Sequence, residues 1–292
     1  MGYLHIDNLC KVQHVLMFKR VYAMLKVHGT SAHVSYKKTG ESDKLNFFSG
    51  GEKYDNFILL FDHKKLLEDF RAMNQEEVVV FGEAYGGKCQ GMSGTYGKDL
   101  KFIAFDVKIG EHWLNVPSAE KVARKLGFDF VPWEEGPATV EWLNEQRDIP
   151  DRIATKLGLD DKPAEGIVIR PLLELKLPGG DRIIAKHKRD DFSERASKSD
   201  TRMREPSDLQ ILVNAQEIAD EWVTPMRLEH ILQKFPEDVD TKSIPEIIRA
   251  MKEDVLRESQ GEIVVTEAAL KAISKSTAML FVKRQRDSLV GK

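Results

Sequence analysis

The sequence holds only two cysteines, Cys10 and Cys89, too few for a disulfide framework and without the spacing of a metal-binding pair. Their scarcity points to a reducing, cytoplasmic setting. Long hydrophobic runs are missing too: none approaches the roughly 18 apolar residues needed to span a bilayer. The N-terminus, MGYLHIDNLCKVQ, has no apolar signal core, and Ile6 breaks the myristoylation pattern that opens with Met-Gly. Positive charge is not in surplus either. A net charge of −3 excludes a general basic coat and leaves any polyanion site to a local concentration of Lys and Arg. A P-loop is also absent: in YGGKCQGMSGTYGKD, Gly97-Lys98 is followed by Asp99, and Met92 stands where the first glycine belongs. There is no internal repeat and no low-complexity tract. What remains is a soluble, globular pattern of 292 residues, enough for one large domain or two smaller ones.

Short β-rich segments fill the first two-thirds. VYAMLKV, AHVSY, FILLF, EVVVFGEAY, KFIAFDVKI, EGIVIRPLLEL and RIIAKHK are bounded by Gly, Asp, Asn or Pro and read as strands. DHKKLLEDFRAM reads as a helix, as does SAEKVARKLG, which opens on Ser118 as its cap and stops at Gly127. Without regular strand–helix alternation, this mixture predicts an antiparallel α+β core. From about Asp200 the texture changes. PSDLQILVNAQEIADEW, MRLEHILQKF, SIPEIIRAMKEDVLRES and TEAALKAISKSTAMLFVKRQRD carry apolar residues at helical spacing, with caps at Ser207, Ser243 and Thr266. The expected division is residues 1–198 and a small all-helical domain over 199–292, joined by KRDDFSERASKSDTRMREPSD.

One stretch resists this patterning. MLKVHGTSAHVSY places Lys26 in an apolar, strand-like run with Gly29 three residues later. Burying an unpaired ammonium costs several kcal/mol or forces it to lose its proton. A neutral amine is what a nucleophilic lysine requires. With a free pKa near 10.4, only about one lysine in a few thousand is neutral at pH 7, a difference of about 4.6 kcal/mol. An apolar flank and neighbouring cations reduce that cost. The plain alternative is a surface lysine.

Four later features bear on the choice. Glu83 ends the apolar strand in VVVFGEAYGG, Phe105 and Asp106 lie in FIAFDV, and Glu165 heads EGIVIR, which ends at Arg170. Lys186 and Lys188 in IIAKHKRDDF alternate, so they share one face of a strand. Singly, each has an ordinary structural reading as a solvated acid, a core ring or an exposed face. Their order (K-x-x-G, strand Glu, F-D, E-G, K-x-K) argues against independent accidents.

That order resembles the covalent nucleotidyltransferases, the ATP-dependent ligases and mRNA capping enzymes, over residues 24–192. The wording KVHGT, FGEAYGG, AEGIVIR and AKHKRDDFSE looks most like the RNA ligase 2 type, and so does a chain that turns helical after the last motif. The resemblance implies an antiparallel-sheet, ATP-grasp-like nucleotidyltransferase domain followed by a helical one. It implies a monomer that uses ATP and Mg²⁺ or Mn²⁺ to join RNA ends bearing a 3′-OH and a 5′-phosphate. Lys26 would be the nucleophile that becomes a lysyl-adenylate. Lys186 and Lys188 would neutralise the α-phosphate and lower the pKa of Lys26. Gly29, Glu83 and Phe105 would line the nucleotide site, with Phe105 stacked on adenine and Glu83 accepting a hydrogen bond from the ribose. Glu165 would hold the cation, while Asp106 would help hold it or simply anchor its strand. His28 would act near the phosphates during sealing, or be a plain loop histidine.

Three positions differ from that type: Ser31 replaces a usual asparagine, Leu25 a usual acid, and no arginine occurs between Arg20 and Arg71, where NFFSGGEKYDNF offers only Lys53. YGGKCQGMSGTYGKD reads as a mobile surface loop or as a cover over the nucleotide or RNA end. Lys186, Lys188, Arg189, Arg195, Lys198 and Arg202, interleaved with acids, make a phosphate track or a charged linker. The competing functions are a related nucleotidyltransferase with another acceptor (a DNA ligase or capping guanylyltransferase) and a non-catalytic RNA-binding module on the same fold.

Overall fold

The computed structural model describes residues 2–39, 42–192, 214–236 and 239–290. The chain divides into two compact units, Met1–Arg189 and Asp190–Lys292. The boundary expected at 198/199 lies outside the described residues, as do Arg195, Lys198, Arg202 and the cap expected at Ser207.

In chain order the first unit contains β1 (Arg20–Lys26), β2 (Thr30–Lys37), β3 (Lys44–Ser49), α1 (Tyr54–Ile58), α2 (His63–Ala72), β4 (Glu77–Gly86), α3 (Ser93–Tyr96), β5 (Leu100–Ile109), β6 (His112–Trp113), α4 (Val116–Lys125), β7 (Trp133–Pro137), α5 (Val140–Asp148), α6 (Arg152–Lys156), β8 (Gly166–Pro171) and β9 (Ala185–Lys188). Two antiparallel sheets result, one in the order β7-β1-β8-β9 and the other β3-β2-β4-β5-β6. β1 is flanked by strands on both sides and buried from Val21 to Leu25, so its sequence is continuously apolar rather than alternating. Val34, Tyr36, Val78, Val80, Ala104 and Val107 of the second sheet share one core with Phe70 of α2 and with Ala119 and Ala123 of α4. Tyr36 and Phe70 stack at 5.5 Å.

The architecture is α+β, and most expected elements form. FILLF is the exception. Residues 54–58 are helical and only Phe57 of the run is fully buried, while Leu59 and Leu60 face solvent. A short apolar run does not separate strand from helix by periodicity alone. EGIVIRPLLEL is a strand only as far as Pro171, and the strand in RIIAKHK begins at Ala185. The helix expected to open on Ser118 starts earlier. Asn115 is its cap, accepting from the Ser118 amide, with Pro117 in the first turn.

The second unit, as described, is helical: α7 (Ala215–Trp222), α8 (Pro225–Leu232), α9 (Ile244–Glu258) and α10 (Glu267–Val290). Trp222, Leu228, Ile247, Met251, Ile273 and Phe281 form its core. Asn214 caps α7, Ser243 occupies the cap position of α9 without a side-chain bond, and Thr266 accepts from the Ala269 amide at 3.0 Å. Arg227 is buried against Asp254 and lies 5.3 Å from the Trp222 ring.

Candidate active site

Strand order alone assembles the K-x-x-G, E-G and K-x-K segments. The end of β1, the start of β8 and the end of β9 lie side by side, with Lys26 opposite Gly166 and Gly166 opposite Lys188. After Lys26 the chain turns through His28 and Gly29 into β2, whose Ser31 pairs with Glu83 on β4. The K-x-x-G turn is thus the crossover between the sheets, and both sheets contribute acids to its neighbourhood.

Two glycines make this close approach feasible. A Cβ on Gly29 would stand 2.3 Å from the Ala84 carbonyl oxygen and 2.9 Å from Glu83 Cγ. Gly166 has φ +151°, and a Cβ there would stand 2.2 Å from the His187 carbonyl oxygen. The glycines of K-x-x-G and E-G therefore have a steric cause, as backbone packs on backbone at both.

Three basic groups converge on one buried carboxylate. Lys26 Nζ donates to Glu165 Oε2 at 2.8 Å, and His28 Nδ1 lies 3.2 Å from the same oxygen. Lys188 Nζ lies 3.0 Å from Oε1, at an angle that makes an ion pair without an aligned hydrogen bond. Glu165 is 1% exposed, and burial opposes its charge. The Lys26, Lys188 and His28 side chains outweigh that opposition and hold its carboxyl well below the usual range. Lys26 itself remains 24% exposed, so its amine can be reached.

Glu83 behaves in the opposite way. Desolvation raises its carboxyl to about 8; Lys26, Lys188 and the Gly29 amide pull it down, and Glu165 pushes it up. Burial thus favours the protonated form of Glu83 near neutral pH, and in that form it can donate a hydrogen bond as well as accept one. Glu165 charged and Glu83 neutral is the division of states expected of two acids in unlike environments.

Phe105 sits in a bulge of β5, where pairing jumps from Phe81–Asp106 to Gly82–Ala104, and it is half-buried. Bulges commonly re-aim a side chain next to a site. The Tyr3 ring packs edge-on against it at 4.8 Å. Lys186 lies two residues before Lys188, on the same face of β9, and its backbone bonds the N-terminal segment through Asp7 and Leu9.

Asp106 departs from the metal-holding expectation. It is fully buried, and both oxygens are occupied. Oδ1 accepts from Arg170 at 3.0 Å and from the Val107 amide at 2.9 Å, while Oδ2 accepts from Tyr3 at 2.6 Å and Arg182 at 2.7 Å. Glu174 pairs with both arginines, and Arg182 lies 4.0 Å from the Trp113 ring. Asp106 anchors its strand and has nothing left for a cation. Tyr3 escaped the sequence reading because an N-terminal tyrosine carries no positional signal, and Arg182, read as the start of a basic phosphate track, pairs instead with Asp106 and Glu174.

Among the described residues there is no group of three or more His, Cys, Asp or Glu able to hold a metal. Glu165 is a charged carboxylate with one oxygen lacking a hydrogen bond, which fits a hard divalent cation that takes its other ligands from phosphate and water. The Gly-rich segment is not a loose loop. Tyr96 in α3 is fully buried, donates to Asp151 Oδ2 at 2.6 Å and accepts from the His28 amide at 3.4 Å. Lys53, the one basic residue in NFFSGGEKYDNF, is exposed at the start of α1.

A family model described as RNA ligase matches residues 19–188, more than half of the chain and every element of the site. Among solved structures, an RNA ligase from Naegleria gruberi with PPi is similar at 15% identity and a TM-score of 0.50, over 66% of this chain and 57% of that one. A lysine-to-alanine variant of the Naegleria gruberi ligase with ATP and Mn gives 15% identity and a TM-score of 0.49, over 66% and 56%. This chain thus spans little more than half the length of those structures, and the likeness is one of fold. No curated protein matches the chain. With the model covering both sheets and the whole run from Lys26 to Lys188, the chain belongs to the RNA ligase family.

Proposed function

We propose that the protein is an ATP-dependent RNA ligase that joins a 3′-OH to a 5′-phosphate through a covalent lysyl-AMP on Lys26. The observation that carries this reading is the convergence of Lys26, His28 and Lys188 on Glu165, with Lys26 partly open to solvent.

In the first step, Lys26 Nζ, having released a proton to solvent, attacks the α-phosphorus of ATP. An N–P bond forms, the nitrogen passes a second proton to solvent, the bond to the bridging oxygen breaks, and pyrophosphate leaves. Lys188 and Lys186 face the phosphate and offset the charge that builds on its oxygens. Phe105 offers a ring to adenine, and Glu83, protonated, is able to donate to the ribose or accept from it. Gly29 keeps the turn close enough for these groups to surround one nucleotide. In the second step, an oxygen of the RNA 5′-phosphate attacks the adenylyl phosphorus, the N–P bond breaks, and the leaving Lys26 amine takes up a proton from solvent. In the third, the 3′-hydroxyl oxygen attacks the 5′-phosphorus, its proton passes to solvent, and AMP leaves; His28, on the same turn as Lys26, would act near the phosphates in this step. Mg²⁺ or Mn²⁺ held by Glu165 would supply charge neutralisation on the phosphate oxygens.

The competing acceptors separate by experiment. The protein is incubated with Mg²⁺ and ATP or GTP labelled at the α-phosphate, then with RNA or DNA carrying a nick or free ends. Label from ATP but not GTP, transfer to an RNA 5′-phosphate and a sealed RNA product support the proposal. GTP labelling, DNA-only sealing, or RNA binding without any label each contradict it.

A further inference from the structure

The Gly-rich segment has no part in the chemistry above, yet it reaches the K-x-x-G turn. Tyr96 Oη is the point of contact. A tyrosine hydroxyl has one hydrogen to donate. Asp151 is fully buried, and its Oδ1 is already taken by the Ile153 and Ala154 amides at the start of α6, at 2.8 and 3.1 Å. Its Oδ2, an acceptor, therefore takes the Tyr96 hydrogen at 2.6 Å. That fixes the hydroxyl's orientation and leaves a lone pair for the His28 N–H at 3.4 Å. The next residue, Gly29, packs its Cα side so tightly on β4 that a Cβ there would stand 2.9 Å from Glu83 Cγ. The turn after Lys26 is thus held on one side by the Tyr96 hydroxyl and hemmed in on the other by the β4 backbone at Ala84, where a Cβ on Gly29 would stand 2.3 Å from the carbonyl oxygen.

We propose that Tyr96 and Asp151 are positioning residues for the nucleophile. The Asp151–Tyr96 pair orients the His28–Gly29 turn, and through it sets the reach of Lys26 toward the α-phosphorus. Neither touches the reacting atoms. A misplacement of about 1 Å in a reacting group costs on the order of 100-fold in rate, so losing one of the bonds that fix the turn should slow chemistry and leave nucleotide binding alone.

The inference rests on the proposed adenylation and is tested beside it. Single-turnover labelling of Tyr96→Phe with α-labelled ATP and Mg²⁺ is followed over time at several ATP concentrations. The rate constant, the burst amplitude and the half-saturating ATP concentration are read separately. Ile153→Val, which trims the packing of α6 without touching the hydroxyl, serves as the stability control. The expected result is a rate constant about tenfold below wild type for Tyr96→Phe, with half-saturation unchanged and the control at the wild-type rate. Asp151→Asn, which presents an amide donor to Tyr96 and so reverses the hydroxyl's preference, should slow the step likewise if Tyr96→Phe folds poorly. A wild-type rate constant in both variants overturns the inference, whatever happens to amplitude. A slowed control also overturns it, since general loosening would then suffice. No label in the wild type would refute the proposed function itself, a different and recognisable failure.

Discussion

Two buried clusters of charge stand in the first unit, and they are built on opposite principles. Around Asp106 the accounts balance: two acids, Asp106 and Glu174, face two arginines, Arg170 and Arg182, and Tyr3 closes the remaining valence. Around Glu165 they do not: one charged acid faces Lys26, His28 and Lys188, while burial pushes the second acid, Glu83, up to about 8 and towards its neutral form. The choice of base differs as well. Arginine keeps its proton under all ordinary conditions and presents a planar fork, which suits a permanent structural pair. Lysine gives its proton up far more readily, which suits a group that must become a nucleophile. A buried charge cluster that satisfies itself holds a fold together, and one left with surplus positive charge is ready for an anion.

Substitutions can break this contrast at either pole. The largest effect is expected from Lys26→Ala, which should remove all covalent label while leaving the circular dichroism spectrum and melting behaviour of a folded protein. Glu165→Gln should lower the adenylation rate constant on the order of 100-fold, as for loss of one preorganised electrostatic contact, and raise the Mg²⁺ concentration needed for half-maximal labelling. At the other pole, Asp106→Ala should cost about 3–5 kcal/mol in urea denaturation, because two buried guanidiniums lose a partner. The Mg²⁺ dependence of its folded fraction should match wild type. A shifted Mg²⁺ dependence there would reopen the metal-holding role for Asp106.

A smaller effect sharpens the comparison through pH. Glu83 binds its proton more tightly in the folded protein, at about 8 against the ordinary 4.5. Its contribution to stability is therefore fully present below about 4.5 and is lost as pH rises toward 8. Glu165 has the reverse sign: its carboxyl is lowered, so its contribution is present above 4.5 and lost as pH falls through the folded value. Glu83→Gln should flatten the stability profile between about 4.5 and 8. Urea midpoints across that range would check it, and an unaltered slope would count against a neutral Glu83. The smallest change, about 1 kcal/mol, is expected on removing the cap of α4 with Asn115→Ala, and should not touch labelling.

The Glu165 cluster was legible in the sequence because strand order turns linear motifs into neighbours. Each of K-x-x-G, E-G and K-x-K is local, and the close backbone contacts at Gly29 and Gly166 give the two glycines a cause that shows in spelling. The structural cluster was not legible, because Tyr3, Asp106, Arg170, Glu174 and Arg182 come together only in three dimensions, from segments far apart in the chain. FILLF misled for a related reason: its apolar content is that of a strand, but burial of Phe57 alone, with Leu59 and Leu60 outside, is decided by what packs around it. Tyr96 was hidden by the glycines around it, which read as looseness although the ring they flank is fully buried.

The most direct test of the account is to locate the covalent adduct. The protein is incubated with ATP and Mg²⁺, digested, and its peptides are analysed by mass spectrometry under conditions that preserve phosphoramidates. The account predicts an adenylyl group on the peptide containing Lys26, at the amine of that residue, and none on Lys186 or Lys188. An adduct on one of those lysines, or a folded protein with none, would contradict it.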